Sequence, residues 1–187
     1  MRVIAGQYRS RPLRSLRGLD IRPTSDRLRE TLFNVLTAGN SGALEGTVWL
    51  DLFAGTGAVG IEALSRGAAM VYFVESAANA AHLVEANLRS LDIVSGYQVI
   101  KQDAGRWLRG LANTITADFV FLDPPYRLER EYAGTLALLS ESPALRPSAR
   151  VIAEHQRKFD PGEHFGRLRR IRKLEQGDAA LSFYARP

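Results

Sequence analysis

A tetrapeptide of one acid, two prolines and one aromatic residue carries the clearest chemistry in this sequence. Asp123, Pro124, Pro125 and Tyr126 directly follow 117–122, an apolar stretch that predicts a buried strand. The exocyclic amino nitrogen of a nucleic-acid base is a poor nucleophile because its lone pair is delocalised into the ring. Asp123 Oδ and the Pro124 carbonyl can accept its two hydrogens and so direct the lone pair towards an electrophilic methyl group.

The remaining residues of the tetrapeptide suit the same reaction. The two prolines fix φ and remove competing N–H donors, which holds the carbonyl in place. Tyr126 can stack on the face of a base that has left its helix. We therefore predict that all four residues are catalytic. The alternative is an ordinary turn at the end of a strand.

Composition excludes several other chemistries. The chain contains no cysteine, which excludes disulfides, cysteine-ligated zinc and the thiolate route to C5-methylated pyrimidines. His82, His155 and His164 do not have the spacing of metal ligands. We expect no metal.

A glycine-rich segment at 51–60 predicts a cofactor site. It follows one predicted strand and precedes a predicted helix, so its glycines can form a tight turn against a ligand. The glycine spacing alone fits NAD, FAD, S-adenosylmethionine or a simple turn. The candidate cofactor residues here are Asp51, Phe53, Ala54, Gly55 and Gly57.

Acidic residues narrow the choice of cofactor to S-adenosylmethionine. A carboxylate at Asp51 would repel the phosphates of a dinucleotide but would suit a cationic amino group and a sulfonium. Glu75 ends the next predicted strand and can accept both ribose hydroxyl hydrogens, unless it is simply a solvated acid. Asp103 can accept from the adenine amino group while the Ala104 N–H donates to a ring nitrogen. Alternatively, Asp103 caps the helix that follows.

Strands and helices alternate along the chain from residue 47 onwards. Apolar runs and helical periodicity predict strands at 47–52, 70–74, 97–100, 117–122 and 150–154, with helices at 58–65, 77–91, 104–111 and 132–139 between them. A hairpin is predicted at 168–173 and 180–184. This order indicates an α/β fold, with a mostly parallel sheet and an antiparallel pair at one edge. Both motifs then face one crevice, at the carboxyl ends of the strands.

The first 38 residues are predicted to form a basic appendage to a methyltransferase core at 39–187. A short hairpin or arm turns at 6–10, and a helix capped by a residue within 24–26 follows. The net charge of +5 favours a polyanionic partner, and arginine forks bind phosphate, although genome composition can also enrich arginine. The candidate RNA-binding residues are Arg2, Arg9, Arg11, Arg14 and Arg22.

Length and hydropathy predict where the protein resides and how many domains it has. No apolar run approaches the ~20 residues that a membrane span needs, and residues 1–6 lack the apolar stretch of a secretory signal. We expect a cytoplasmic protein with no membrane partner. A chain of 187 residues fits one domain with a short appendage, and we expect a monomer.

The chain resembles the RsmD family of bacterial 16S ribosomal RNA guanine-N2 methyltransferases over nearly its whole length. The most specific similarity lies in the segments 2–6, 9–13 and 22–34, whereas the glycine loop and the tetrapeptide occur in many amino-methyltransferases. Ser10 stands where the family often has Gly, which leaves the turn of the arm open. Tyr126 stands where Phe is common.

The resemblance implies a Rossmann-like, seven-stranded class I S-adenosylmethionine-dependent methyltransferase fold. It implies methylation of N2 of one guanine in small-subunit (16S) ribosomal RNA, within an assembled or nearly assembled 30S subunit. It also implies that the basic arm touches RNA and that Pro23, Thr24 and the following helix close over the cofactor.

Two other functions fit parts of the pattern. A DNA amino-methyltransferase acting on adenine N6 or cytosine N4 would use the same tetrapeptide, but the chain has no obvious separate domain for reading a duplex. A non-catalytic RNA-binding module with a relic cofactor pocket would not need an intact tetrapeptide at 123–126.

Overall fold

The computed structural model describes residues 1–15, 24–111, 115–125 and 128–187. Within these ranges the helices are α1 (Asp26–Leu36), α2 (Ala58–Ser65), α3 (Ala78–Ser90), α4 (Ala104–Gly110) and α5 (Glu129–Glu141). The strands are β1 (Val48–Leu52), β2 (Met70–Val74), β3 (Tyr97–Ile100), β4 (Ala117–Leu122), β5 (Leu145–Gln156), β6 (His164–Phe165), β7 (Leu168–Gln176) and β8 (Ala179–Ala185). None of the helices in the described ranges has the length and apolar character needed to cross a membrane.

All the described strands join one sheet in the order β3-β2-β1-β4-β5-β8-β7-β6. The pairs from β3 to β5 are parallel, and β8, β7 and β6 each run antiparallel to their neighbours. This confirms the predicted α/β fold with a mostly parallel sheet and antiparallel C-terminal strands. The described sheet has eight strands rather than the seven implied by the resemblance, because the two-residue β6 pairs with the start of β7.

Helices cover both faces of the sheet and bury two separate apolar clusters. One cluster joins α1, α2 and α3 to the sheet, and its centre is Trp49, which stacks between Phe33 at 5.5 Å and Phe119 at 4.7 Å between ring centroids. The other cluster joins α4 and α5 to the opposite face through residues such as Leu108 and Leu136. The helices packed on both faces hold the strands in place. The side chains of the candidate site lie at the ends of these strands.

The N-terminal residues pack on the core as an irregular segment rather than as a long strand pair. A single antiparallel bridge joins Arg2 and Pro12, and Ser10 has a φ of 68° at the turn between them. Val3 and Leu13 are buried in the cluster that contains α1. The boundary at residue 38 stays a prediction, although the segment 1–15 and α1 share this cluster with the strands.

Candidate functional site

The two predicted motifs begin at the same edge of the sheet. Leu52, the last residue of β1, pairs in register with Val74 at the end of β2 and with Leu122 at the end of β4. The glycine segment after β1, Glu75 after β2 and Asp123 after β4 therefore all start from the carboxyl edge. Ligands of open parallel sheets bind at this edge.

The glycine loop, residues 51–60, contains a backbone conformation that its sequence does not predict. Phe53 has a φ of 62°, which is unusual for a bulky residue and lies in the left-handed region. The Ala54 N–H donates to the Val74 carbonyl at 3.1 Å, and the Gly57 N–H donates to the Ala54 carbonyl at 2.7 Å. A tight turn with a strained residue is common at binding sites, where surrounding contacts hold it.

Gly57 and Gly60 serve different parts of this loop. Gly57 has a φ of 76° and precedes the first residue of α2, so it supplies the left-handed turn. A Cβ on Gly60 would collide with the Phe73 ring, so the absence of a side chain lets α2 pack closely on β2. Gly60 is therefore a packing residue, whereas Gly57 shapes the turn.

Asp51 lies beneath the loop and is 2% exposed. Its Oδ2 accepts a hydrogen bond from the Gly60 N–H at 2.9 Å. Burial raises the pKa of Asp51 to about 8, and the nearby charge of Glu75 contributes in the same direction. A buried carboxyl group that resists ionisation is suited to a cationic ligand, because a cation would stabilise its charged form.

Glu75 holds the glycine loop with both carboxylate oxygens. Oε2 accepts from the Gly55 N–H at 2.9 Å, and Oε1 accepts from the Ala77 N–H at 2.8 Å. This anchoring was not anticipated from the sequence. Each carboxylate oxygen has a second lone pair, so these bonds leave room for the predicted acceptance of ribose hydroxyls.

Asp103 caps α4, as one of its two predicted roles required. Its Oδ1 accepts from the Arg106 N–H at 2.8 Å, and Ala104 is the first residue of the helix. Asp103 is exposed and Ala104 is buried. The cap does not compete with adenine binding, because the second carboxylate oxygen is available to another donor, and the adenine role stays a prediction.

Asp123 is half-buried and lies among other acids. Burial raises its pKa well above the ordinary value, and the charges of Glu154 and then Asp51 add to the rise. The register explains this proximity, since Leu122 pairs with Ala153 and so brings Asp123 beside Glu154. Within the described ranges no hydrogen-bond donor is directed at the Asp123 carboxyl group.

The rest of the tetrapeptide is only partly within the described residues. Pro124 is buried and Pro125 is exposed, and the Pro125 carbonyl accepts from the Leu128 N–H at 2.7 Å. The Tyr132 hydroxyl lies 3.4 Å from the Pro124 carbonyl oxygen and donates to the Glu154 carbonyl at 2.8 Å. Tyr126 lies outside the described residues, so its predicted stacking role stays a prediction.

Glu154 is a site residue that the sequence analysis missed. It is 3% exposed, and its Oε2 accepts from the Thr24 hydroxyl at 2.6 Å across 130 residues of sequence. This bond holds Thr24, which precedes α1, at the carboxyl edge beside Asp123. Thr24 was expected over the cofactor from the resemblance alone, and Pro23 lies outside the described residues. An acid inside a predicted strand was the available signal for Glu154.

The predicted arm arginines are spread over different edges of the sheet. The Gln7 N–H donates to the carbonyl of Ser65, the last residue of α2, and Arg11 Nη2 donates to the carbonyl of Ser90, the last residue of α3. Helices that link parallel strands end at the amino edge, so Arg9 and Arg11 lie towards the edge opposite Asp123.

Arg14 has a different position from Arg9 and Arg11. The buried side chain of Asn87 accepts from the Arg14 N–H at 2.9 Å and donates to the carbonyl of Thr56, inside the glycine loop, at 2.9 Å. Asn87 therefore ties the arm to the loop, and nothing in the sequence pattern indicated this role. Arg2 and Arg14 are exposed, and Arg22 lies outside the described residues.

A buried charge cluster joins the arm to α1 and α2. Arg29 is fully buried, donates to the Arg2 carbonyl and pairs with Asp26 at 3.0 Å and Glu62 at 3.8 Å. Glu62 also accepts from the Ile4 N–H at 2.8 Å. These contacts explain why charged residues occupy buried positions in the N-terminal part of the chain.

Comparison with known proteins identifies the family of this chain. The family described as Conserved hypothetical protein 95 matches residues 1–185. The chain is 37% identical over 185 residues to "Putative rRNA methyltransferase YlbH" of Bacillus subtilis (strain 168), covering 98% of each chain. It is 37% identical over 158 residues to "Ribosomal RNA small subunit methyltransferase D" of Haemophilus influenzae, covering 84% of this chain and 79% of the relative.

A solved structure gives the same result for the fold. "Putative methyltransferase yhhF from Escherichia coli" superposes with a TM-score of 0.82 at 30% identity, covering 100% of this chain and 97% of that one. The family match over nearly all residues, the two relatives and this structure agree with the resemblance found in the sequence. The chain belongs to the Conserved hypothetical protein 95 family, which is the RsmD family of methyltransferase-fold proteins.

Proposed function

We propose that this chain transfers a methyl group from S-adenosylmethionine to the exocyclic N2 of a guanine in small-subunit ribosomal RNA. The observation that carries the proposal is the common position of Asp123 and the glycine loop at the carboxyl edge. Relatives of this chain are named as ribosomal RNA methyltransferases. The proposed partner is a 30S subunit at or near completion, in the cytoplasm.

The residues beside the glycine loop fit S-adenosylmethionine. Asp51 is buried and, within the described residues, forms no ion pair, so a ligand cation would complete its environment. We assign the cofactor's amino group to the neighbourhood of Asp51, its ribose to Glu75, and its adenine to Asp103 and Ala104. When bound, the cofactor supplies an electrophilic methyl group on its sulfonium.

The catalytic work of this chain is to orient an amine rather than to form a covalent intermediate. Asp123 Oδ and the Pro124 carbonyl accept the two amino hydrogens, so the nitrogen lone pair points towards the cofactor side of the crevice. Tyr132 contacts Pro124 and Glu154 and so supports this corner. The amine becomes more acidic as it gains the methyl group, so its proton can pass to the Asp123 carboxylate or to water without a strong base.

A transfer assay tests the proposal. Purified small subunits lacking the modification are incubated with tritiated S-adenosylmethionine and the protein, and the ribosomal RNA is digested to nucleosides. We expect label in N2-methylguanosine. Label in adenine or cytosine of duplex DNA, with none in guanine of the RNA, would replace this function by that of a DNA amino-methyltransferase.

A further inference from the structure

Three exposed cations lie near the end of β5 at the carboxyl edge. Arg157 and Lys158 directly follow the last residue of β5, and Arg27 lies in the first turn of α1. We call Arg27, Arg157 and Lys158 the rim cations. All three side chains are exposed, and within the described ranges none of them forms an ion pair.

The position of the rim cations is fixed by contacts already described. The hydrogen bond from Thr24 to Glu154 places the start of α1 beside the end of β5. The Arg157 N–H donates to the Asp178 carbonyl at 2.8 Å, which ties the turn after β5 to the turn between β7 and β8. Arg157 lies three residues beyond Glu154, roughly 10 Å along an extended chain.

Neighbouring basic residues differ from the rim cations because they form ion pairs with acidic side chains. Arg170 pairs with Asp160 at 2.6 Å and with Glu163 at 3.0 Å, and Lys173 pairs with Glu175 at 3.3 Å. Charges paired in this way are partly neutralised towards an outside anion. The rim cations keep their full charge for a ligand.

The rim also has the right location for contacts that flank a target base. Arg9 and Arg11 lie towards the amino edge, far from Asp123, and Arg11 already contacts Asp92 at 3.5 Å. Glu154 lies beside Asp123, so the rim cations lie at the same edge of the sheet as Asp123. An RNA strand with one base at Asp123 would have its flanking phosphates near this edge.

We propose that the rim cations bind RNA phosphates on either side of the target nucleotide. This inference rests on the proposed function and adds a second RNA-binding surface to the predicted N-terminal arm. Phosphate contacts position a nucleic acid without reading its sequence. The rim therefore sets affinity and placement of the RNA, whereas the tetrapeptide sets the chemistry.

The test removes the three charges together and measures binding to purified small subunits lacking the modification at several KCl concentrations. Each lost phosphate contact lowers the salt dependence of binding by about 0.7–0.9 in log–log slope. For R27A/R157A/K158A we therefore expect the slope to fall in magnitude by about 2–3. Affinity for S-adenosylmethionine and the midpoint of thermal unfolding should stay as in the unchanged protein.

A matched control variant removes the same charge elsewhere. Arg89 lies in the last turn of α3, and Arg167 and Arg169 flank the first residue of β7. All three are exposed, and within the described residues none forms an ion pair. We expect R89A/R167A/R169A to leave the slope nearly unchanged. Equal slopes for both triple variants would overturn the inference, and so would an unchanged slope for the rim variant.

Methyl transfer by the unchanged protein separates this inference from the proposed function. Label in ribosomal guanine with equal slopes for the two triple variants rejects the rim and keeps the function. No label in ribosomal guanine together with a reduced slope for the rim variant rejects the function and keeps the rim as a nucleic-acid surface.

Discussion

The acids assigned to the cofactor, Asp51, Glu75 and Asp103, differ from Asp123, the acid assigned to the amine, in the hydrogen bonds that the protein itself donates to them. Asp51, Glu75 and Asp103 each accept at least one hydrogen bond from a backbone N–H group of the loops and helices around them. Asp123 accepts none within the described ranges, and its pKa is raised by burial and by the charge of Glu154.

This difference indicates how the carboxyl edge of the sheet can bind both a cofactor and a base in the proposed function. Acids that anchor backbone amides give the cofactor side its shape before any ligand arrives, since those amides would otherwise lack partners. In the proposed function, the Asp123 carboxyl group is left to accept the hydrogens of the incoming amine. Preorganised acceptors that meet their donors in the transition state contribute to rate rather than to cofactor affinity.

The largest expected effect is the loss of turnover when Asp123 is replaced. In Asp123→Ala we expect turnover to fall by about 10²–10⁴-fold, because an acceptor for the amino hydrogens is lost. Single-turnover methylation of small subunits measures this, and isothermal titration measures S-adenosylmethionine affinity, which should change little. A loss of cofactor affinity as large as the loss of turnover would remove the distinction between the two sides.

A smaller effect, on cofactor affinity rather than on turnover, is expected when Glu75 is replaced. Glu75→Ala removes the acceptor for two backbone N–H groups and for the ribose hydroxyls, so cofactor affinity should weaken by about 10–100-fold. Turnover at saturating cofactor should change much less. The control is Glu85→Ala, an acid on α3 paired with Lys101, which should bind the cofactor normally. Unaltered affinity in Glu75→Ala would contradict this assignment.

The smallest effect is a shift in pH dependence at Glu154. Ionised Asp123 is the stronger acceptor, so kcat/KM should rise with pH through the raised pKa of Asp123. Glu154→Gln removes a neighbouring negative charge, which lowers the pKa of Asp123 and moves this rise to lower pH. The glutamine oxygen can still accept from Thr24.

The pH profile of Glu30→Gln provides the comparison, because Glu30 is an exposed acid on α1. Its profile should match that of the unchanged protein. If Glu154→Gln also leaves the profile in place, burial and Asp51 alone set the pKa of Asp123, and the coupling between the ends of β4 and β5 has no effect on the reaction.

Much of the fold could be predicted because apolar runs and helical periodicity mark buried elements directly. The predicted strands at 70–74, 97–100 and 117–122 coincide with β2, β3 and β4. The predicted strand at 150–154 was too short, since β5 begins at Leu145 and contains Pro147, and its register with β4 shifts after Ala117. The two-residue β6 is too short to show a period.

The site was predictable where a residue's position follows from its place after a strand. Asp51, Glu75 and Asp123 reach one edge because their strands are parallel neighbours. Glu154 and Asn87 gain their roles only from partners distant in sequence, Thr24 for one and Arg14 for the other. Such pairs have no local spacing or period, so one sequence cannot reveal them.

The place of β8 in the sheet has a consequence for biosynthesis. Among the described strands β8 comes last in the sequence, yet it lies between β5 and β7. While the chain emerges from its own ribosome, β7 has no route into the sheet until β8 has been translated. The nascent protein therefore holds an unpaired edge on β5, next to Glu154, until β8 has been translated, and an unpaired edge can pair with other chains and aggregate.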